Sequence, residues 1–186
     1  MTKDFYTRKA MKEGYLARSV YKLKQINKKY FIIRNSSSVL DLGCFPGGWV
    51  QYCLELNCDV IGIDIKYVSI KSNKFTFLKM DVSDDKIYGI DNKFDVVLSD
   101  LAPKTTGVKE LDRYRSFDLA FRALQIAIKK LKENGNFLVK IFQGKDYIRF
   151  LNECKKHFKH VKSDKPDASK SKSVEMYVVC KGFKPI

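Results

Sequence analysis

Asp41-Leu42-Gly43-Cys44-Phe45-Pro46-Gly47-Gly48-Trp49-Val50-Gln51 is the stretch around which this 186-residue chain is organised. Ser38-Val39-Leu40 leads into it as a short apolar run, the pattern of a buried parallel strand. Glycines and a proline follow, and then Trp49-Val50-Gln51-Tyr52-Cys53-Leu54 at helical spacing. Strand, glycine turn and helix in succession is the local form of a doubly wound nucleotide-binding α/β fold. Glycine suits a turn at which the backbone bends sharply and a ligand comes close. Pro46 suits the first helical turn, where a missing N–H costs nothing. No Lys-Ser/Thr follows the glycines, so this is no Walker loop, and the spacing is not Gly-x-Gly-x-x-Gly.

Two further apolar runs end in acids. Val60-Ile61-Gly62-Ile63 is followed by Asp64, and Phe75-Thr76-Phe77-Leu78-Lys79-Met80 by Asp81. Asp64 lies roughly 20 residues past the first glycine, where a strand-end carboxylate takes the hydroxyls of a ribose. With Asp41 at the end of the first strand, acids stand at successive strand ends. They suit an adenosine ligand that carries positive charge. S-adenosylmethionine meets that description; the pyrophosphate of NAD would be repelled.

The length fits a single domain, residues 1–186, with a proper core. No apolar run approaches the roughly 20 residues that span a bilayer, and the N-terminus is too polar for a signal peptide, so the expectation is a cytoplasmic, monomeric protein. The 5 cysteines are odd in number and scattered, which fits thiols in a reducing compartment. Cys154-x-x-His157-x-x-His160 lacks a fourth ligand nearby and is not read as a metal site. Net charge is +15 and unevenly spread. Residues 1–34 carry ten Lys/Arg against two acids, and residues 155–172 seven lysines against two acids. Such a field at two ends of the chain points to a polyanionic partner, RNA, bound on one side of the molecule.

The rest of the pattern reads in order. Residues 1–14 form a basic arm, expected to pack loosely or to order on binding. A helix is expected over residues 15–30, with Leu16, Val20, Leu23 and Ile26 inward and Lys22 at the edge of that stripe. A strand is expected over 94–100 and a loop rich in turn formers over 101–107. Asp112 is a plausible N-cap for a long helix to about residue 132, closed by Glu133-Asn134-Gly135-Asn136. Phe137-Leu138-Val139-Lys140-Ile141-Phe142 is a fifth strand. A lysine inside so apolar a run, near the carboxyl end of a strand, points at the ligand crevice of this fold. A helix over 146–157, a short strand near Val161, a mobile basic segment over 163–173 and a last strand over 174–180 complete the chain. Glu175, like Lys140, is a charge inside an apolar run.

Several of these stretches together carry a resemblance. Arg18-Ser19-Val20-Tyr21-Lys22-Leu23, Asp41-Leu42-Gly43-x-x-Pro46-Gly47-Gly48-Trp49-x-Gln51, Ser99-Asp100-Leu101-Ala102-Pro103, Val139-Lys140-Ile141-Phe142-Gln143-Gly144, and Lys165-Pro166-Asp167-Ala168-Ser169 ahead of Glu175-Met176-Tyr177 occur in this order. They resemble the FtsJ/RrmJ family of RNA ribose 2′-O-methyltransferases over nearly the whole chain. The resemblance implies a Rossmann-like methyltransferase fold with a seven-stranded, mostly parallel sheet whose last strand is antiparallel. It implies S-adenosylmethionine as cofactor. It implies a catalytic tetrad at Lys22, Asp100, Lys140 and Glu175. Its cofactor contacts match Gly47, Trp49, Asp64, Asp81 and Asp100, beside the turn residues Asp41, Gly43, Pro46 and Gly48. The chain departs from the usual pattern at Cys44-Phe45 and Val50 in the turn, and at Ala17 and Ser19 before the first lysine.

The tetrad is chemically sensible. A ribose 2′-hydroxyl is a weak nucleophile, so its proton must leave as it attacks. A lysine accepts a proton only as the free amine, a form favoured by burial and by a second ammonium nearby. Lys140 is the expected base, Asp100 orients it, and Lys22 and Glu175 place the ribose. The expected substrate is a uridine of large-subunit ribosomal RNA, free or in a pre-ribosomal particle. A tRNA anticodon loop is the alternative within the same chemistry, and a basic ribosome-assembly factor that binds RNA without turnover is the alternative outside it.

Overall fold

The computed structural model describes residues 4–170 and 172–185. Its strands are β1 (Ser38–Leu42), β2 (Asp59–Asp64), β3 (Phe75–Lys79), β4 (Phe94–Ser99), β5 (Leu131–Phe142), β6 (Phe158–Asp164) and β7 (Glu175–Phe183). Its α-helices are α1 (Phe5–Lys12), α2 (Val20–Tyr30), α3 (Gly48–Glu55), α4 (Lys109–Lys130) and α5 (Tyr147–His157). All seven strands form one sheet in the order β3-β2-β1-β4-β5-β7-β6. β3, β2, β1, β4 and β5 run parallel; β7 is antiparallel to both β5 and β6. The chain leaves β1 toward β2 on one side and returns to β4 on the other, so the crevice of the fold opens above the carboxyl ends of β1 and β4.

The reversed strand has a consequence for chemistry. Because β7 runs against β5, its first residue, Glu175, pairs with Phe142 at the end of β5, and Tyr177 pairs with Lys140. A residue early in β7 therefore reaches the same edge as residues late in β4 and β5. Had β7 been parallel, Glu175 would lie at the opposite end of the sheet.

Side chains alternate between two apolar layers, as a sheet covered on both faces requires. Leu40, Leu42, Val97, Phe137, Val139 and Val178 pack with Ala123, Leu124 and Ala127 of α4 and Phe150 of α5. Val39, Val96, Leu98, Leu138, Tyr177 and Val179 pack with Leu23 and Ile26 of α2 and Trp49, Val50 and Cys53 of α3. All five cysteines are free and buried. No helix among the described residues is long and apolar enough to cross a membrane.

Several sequence expectations are corrected. The basic arm is not loose: residues 5–12 form α1, begun by Asp4, whose carboxylate accepts the Thr7 amide, and Ala10 is buried; residues 1–3 of that arm lie outside the described residues. The helix expected over 15–30 begins only at Val20, and Leu16 is 50% exposed outside it. Glycine 14 takes a positive φ and a turn replaces the first helical turn, which periodicity alone does not register. α3 starts at Gly48, so Pro46 precedes the helix rather than opening it. α4 starts at Lys109, and Asp112 lies inside its first turn, its carboxylate reaching back to the amides of Thr106 and Gly107. Residues 133–136 belong to β5, with a register shift against β4 and a positive φ at Asn134, rather than closing the helix. The segment expected to be mobile is tied down at Ala168, which is 0% exposed, its amide donating to the Gln25 side chain and its carbonyl accepting from Arg18; residue 171 of that segment lies outside the described residues. The tie exists because α2 offers a polar edge to this loop, a long-range fact invisible in local composition; Lys29 and Asp164 add an ion pair at 3.1 Å. The two basic segments of the sequence thus meet along α2.

Candidate active site

Lys140 lies near the end of β5, on the face shared by Leu138 and covered by α2 and α3. It is 6% exposed. A buried ammonium needs partners, and several surround it. Its Nζ donates to the Asp100 carbonyl at 2.7 Å and stands 3.0 Å from Asp100 Oδ1 and 3.9 Å from Glu175 Oε1. Asp100 follows directly on β4, its neighbouring strand. Glu175 arrives through the reversed β7. Its other carboxylate oxygen accepts from Lys22 Nζ at 2.7 Å. Lys22 itself is 8% exposed, not solvated as its place at the edge of the helical stripe implied. The ion pairs run Lys22–Glu175–Lys140–Asp100 in an unbroken chain. Burial alone would raise the Glu175 carboxyl, but the hydrogen bond and charge of Lys22 and the charge of Lys140 outweigh it and hold the group below its ordinary range.

A fifth group completes the cluster and was not expected from the sequence. The Tyr177 hydroxyl donates to Asp100 Oδ1 at 2.8 Å, its ring is fully buried, and Lys22 Nζ lies 5.6 Å from the ring centroid. Burial, then the nearby carboxylates, push the Tyr177 hydroxyl well up, so it stays a donor. A tyrosine in an apolar strand reads as core; only its pairing opposite Lys140 tells otherwise.

The glycine turn lies beside this cluster. Gly43 and Gly47 hold positive φ of 79° and 117°. At Gly43 a Cβ would come within 2.7 Å of the Leu101 side chain, and at Gly47 within 2.6 Å of that of Ile70; those side-chain ends can shift, so it is the left-handed backbone that reserves both positions for glycine. Asp41 is 0% exposed, and neither of its carboxylate oxygens has a protein partner. Burial, then the charges of Asp100 and Asp64, push its carboxyl well above the usual carboxylate range. Asp64 accepts the amides of Lys66 at 2.8 Å and Phe45 at 3.0 Å, one on each oxygen. Asp81 takes the amide and hydroxyl of Ser83 on one oxygen, bonds that hold it below the ordinary range. Each of these acids therefore also does the local work of a strand-end turn, with acceptor capacity left over. Trp49 is 3% exposed, and its indole N–H donates to the Ser19 carbonyl.

The donor set fits a cation with an adenosine body. An orphaned buried carboxylate and two further acids coupled to it by charge together favour a positively charged ligand at this turn. Among the described residues no group of three or more His, Cys, Asp or Glu is arranged to hold a metal ion. Cys154 is buried in the core while His160 is exposed on β6.

The family model described as FtsJ-like methyltransferase matches residues 15–183. A ribosomal RNA large subunit methyltransferase E from Methanosphaera stadtmanae is 40% identical over 193 aligned positions, covering 98% of this chain and 94% of that protein. The protein of the same name from Archaeoglobus fulgidus is 42% identical, covering 98% and 97%. A crystal structure from Plasmodium falciparum, named as a ribosomal RNA methyltransferase, superposes with a TM-score of 0.82 at 29% identity, over 92% of this chain and 100% of that one.

Proposed function

The chain belongs to the FtsJ-like methyltransferase family, and from that footing we propose that it methylates a ribose 2′-hydroxyl of large-subunit ribosomal RNA with S-adenosylmethionine as donor. The observation that carries the reading is the buried ion-pair chain Lys22–Glu175–Lys140–Asp100 beside a glycine turn ringed by carboxylates. Bound S-adenosylmethionine supplies an electrophilic methyl group. Asp64 and Asp81 would hold the adenosine, Asp41 and Asp100 would offset the positive charge, and the backbone from Gly43 to Trp49, with Pro46, Gly47 and Gly48, would complete the site.

In this reading the residues of the tetrad manage the hydroxyl. The proton of the 2′-hydroxyl passes to Lys140 Nζ, which leaves the oxygen a competent nucleophile for the methyl group that the bound donor would supply. Asp100 and its own carbonyl fix where that nitrogen points. Glu175, gripped by both lysines, sets the spacing between them, and Lys22 is placed to hold the ribose or the adjoining phosphate. Alignment of the oxygen with the methyl group is the main contribution. The two basic segments, which meet along α2 beside Lys22, give the RNA a charged approach.

The test is methyl transfer from labelled S-adenosylmethionine to ribosomal RNA or to large-subunit particles, followed by mapping of the modified ribose. Lys140→Ala is expected to abolish transfer while cofactor affinity measured by calorimetry stays within about twofold. Lys140→Arg is expected to fail as well, because a guanidinium does not accept a proton. A fully active Lys140→Arg protein excludes lysine as the base, and unmodified RNA in every substrate tried excludes the reading.

A further inference from the structure

We infer that Trp49 and Gln51 are positioning residues of the tetrad: their side chains seat the segment 14–19 on the start of α3 and thereby place Lys22. The inference rests on the methyl-transfer reading above.

The contacts are specific. Gln51 uses both ends of its amide, Oε1 accepting the Leu16 amide at 2.8 Å and Nε2 donating to the Gly14 carbonyl at 3.0 Å. Trp49 Nε1 donates to the Ser19 carbonyl at 2.9 Å. Ser19 is the residue that caps α2, and its side chain makes no capping bond there. The same carbonyl accepts the Lys22 amide at 3.0 Å, so the indole and the first turn of α2 share one acceptor. Between these two anchors the fit is close: a Cβ on Gly48 would stand 3.2 Å from both the Cβ and the carbonyl oxygen of Ala17. Residues 14–19 therefore lie on the first turn of α3, pinned on either side of Ala17.

A tryptophan in a core is ordinarily packing, and a half-buried glutamine is ordinarily solvated. Here each polar group is satisfied by the backbone of one short segment, and that segment leads straight into Lys22. Lys22 lies one turn into α2, buried, with its Nζ 2.7 Å from Glu175, which in turn faces Lys140 at 3.9 Å. Trp49 also stands against the other neighbour of Lys22, its ring centroid 6.1 Å from that of Tyr177. A lysine side chain reaching a single carboxylate at this range tolerates little displacement of its own backbone. The start of α3 thus has two working ends: the backbone of its glycine turn borders the carboxylate cluster, and its side chains set the lysine that faces the RNA.

The experiment uses Trp49→Phe, which removes the N–H but keeps a buried ring, and Gln51→Ala, a change at a half-buried site that leaves a folded variant to measure should the first fail to fold. Each is expected to lower the single-turnover rate of methyl transfer roughly tenfold to a hundredfold, with cofactor Kd by calorimetry within about threefold. In a Lys22→Ala background each is expected to add less than about twofold, because a residue that acts only through Lys22 has nothing left to position. Cofactor-free protein is expected to lose amide-exchange protection over residues 16–23 in both variants. Rates that multiply with Lys22→Ala, a cofactor Kd that rises in step with the fall in rate, or unchanged protection over 16–23 would overturn the inference. Wild-type protein that transfers no methyl group to RNA would defeat the methyl-transfer reading instead, and the exchange measurement would still decide whether Trp49 and Gln51 hold the segment.

Discussion

Replacing Asp41 with asparagine should stabilise the cofactor-free protein and weaken its hold on S-adenosylmethionine. The side chain is wholly buried, both oxygens lack a protein partner, and burial with the charges of Asp100 and Asp64 holds the carboxyl well above its ordinary range. A carboxyl whose folded value exceeds its unfolded value opposes folding once the pH is above the unfolded value, and acidification relieves that opposition until both states are protonated. An isosteric amide removes the charge but remains a buried polar group, so the gain falls at the low end of the cost of an unpartnered group, about 1 kcal/mol. For a chain of this size that is about 2–4 °C in the thermal midpoint. Thermal unfolding at pH 7 and near pH 4.5 measures it: the gain should be present at pH 7 and shrink toward pH 4.5. Calorimetry on the same variant should give a Kd for S-adenosylmethionine at least about tenfold weaker, since a carboxylate facing a cation has been lost, about 1.4 kcal/mol. A lower midpoint at pH 7 would mean that the carboxylate is satisfied within the protein, and an unchanged Kd would mean that it does not face the ligand; either result refutes the reasoning.

Other consequences follow from the same geometry. Tyr177→Phe removes one donor from Asp100 while Lys140 remains, so methyl transfer should slow by about tenfold and urea denaturation should show a loss of about 1 kcal/mol; a fully active variant would make the hydroxyl a bystander. Glu175, held low by its two lysines against its burial, contributes stability that is present above the ordinary glutamate range and is lost as the pH falls through its depressed value. Acid unfolding of Glu175→Gln should therefore be flatter below about pH 4.3 than that of the wild type; coincident curves would deny the coupling. RNA affinity should fall steeply between 50 and 200 mM salt, and Lys28→Glu together with Lys165→Glu should reduce the slope of log K against log salt by about 2 with no change in cofactor Kd. A slope that stays the same would move the RNA off the face of α2.

Local sequence is enough for whatever depends on neighbours a few residues apart. Short continuous apolar runs ending in acids mark β1 to β4, and the glycines after Asp41 mark the turn, because strand burial and left-handed backbone both leave local marks. Lys140 was conspicuous as a charge inside an apolar run, a local anomaly with a functional cause. The tetrad as a set came from resemblance, and periodicity alone left Lys22 on a solvated edge. Tertiary structure decided the rest. Lys22 is buried because Glu175, 153 positions away, waits at the start of a reversed strand. Tyr177 became a partner of Asp100 through cross-strand register with Lys140, not through any feature of its own surroundings in sequence. The arm and the 165–170 loop, both polar and basic, look mobile by composition, yet Arg18 and Gln25 fasten the loop and Arg18 pairs with Asp4 of the arm. The indole N–H of Trp49 donates to the carbonyl of Ser19, the residue that caps α2, 30 positions away. In each of these cases the deciding contact joins segments far apart in the chain, and a contact of that kind is set by how the sheet stacks its strands and helices, which no local periodicity records.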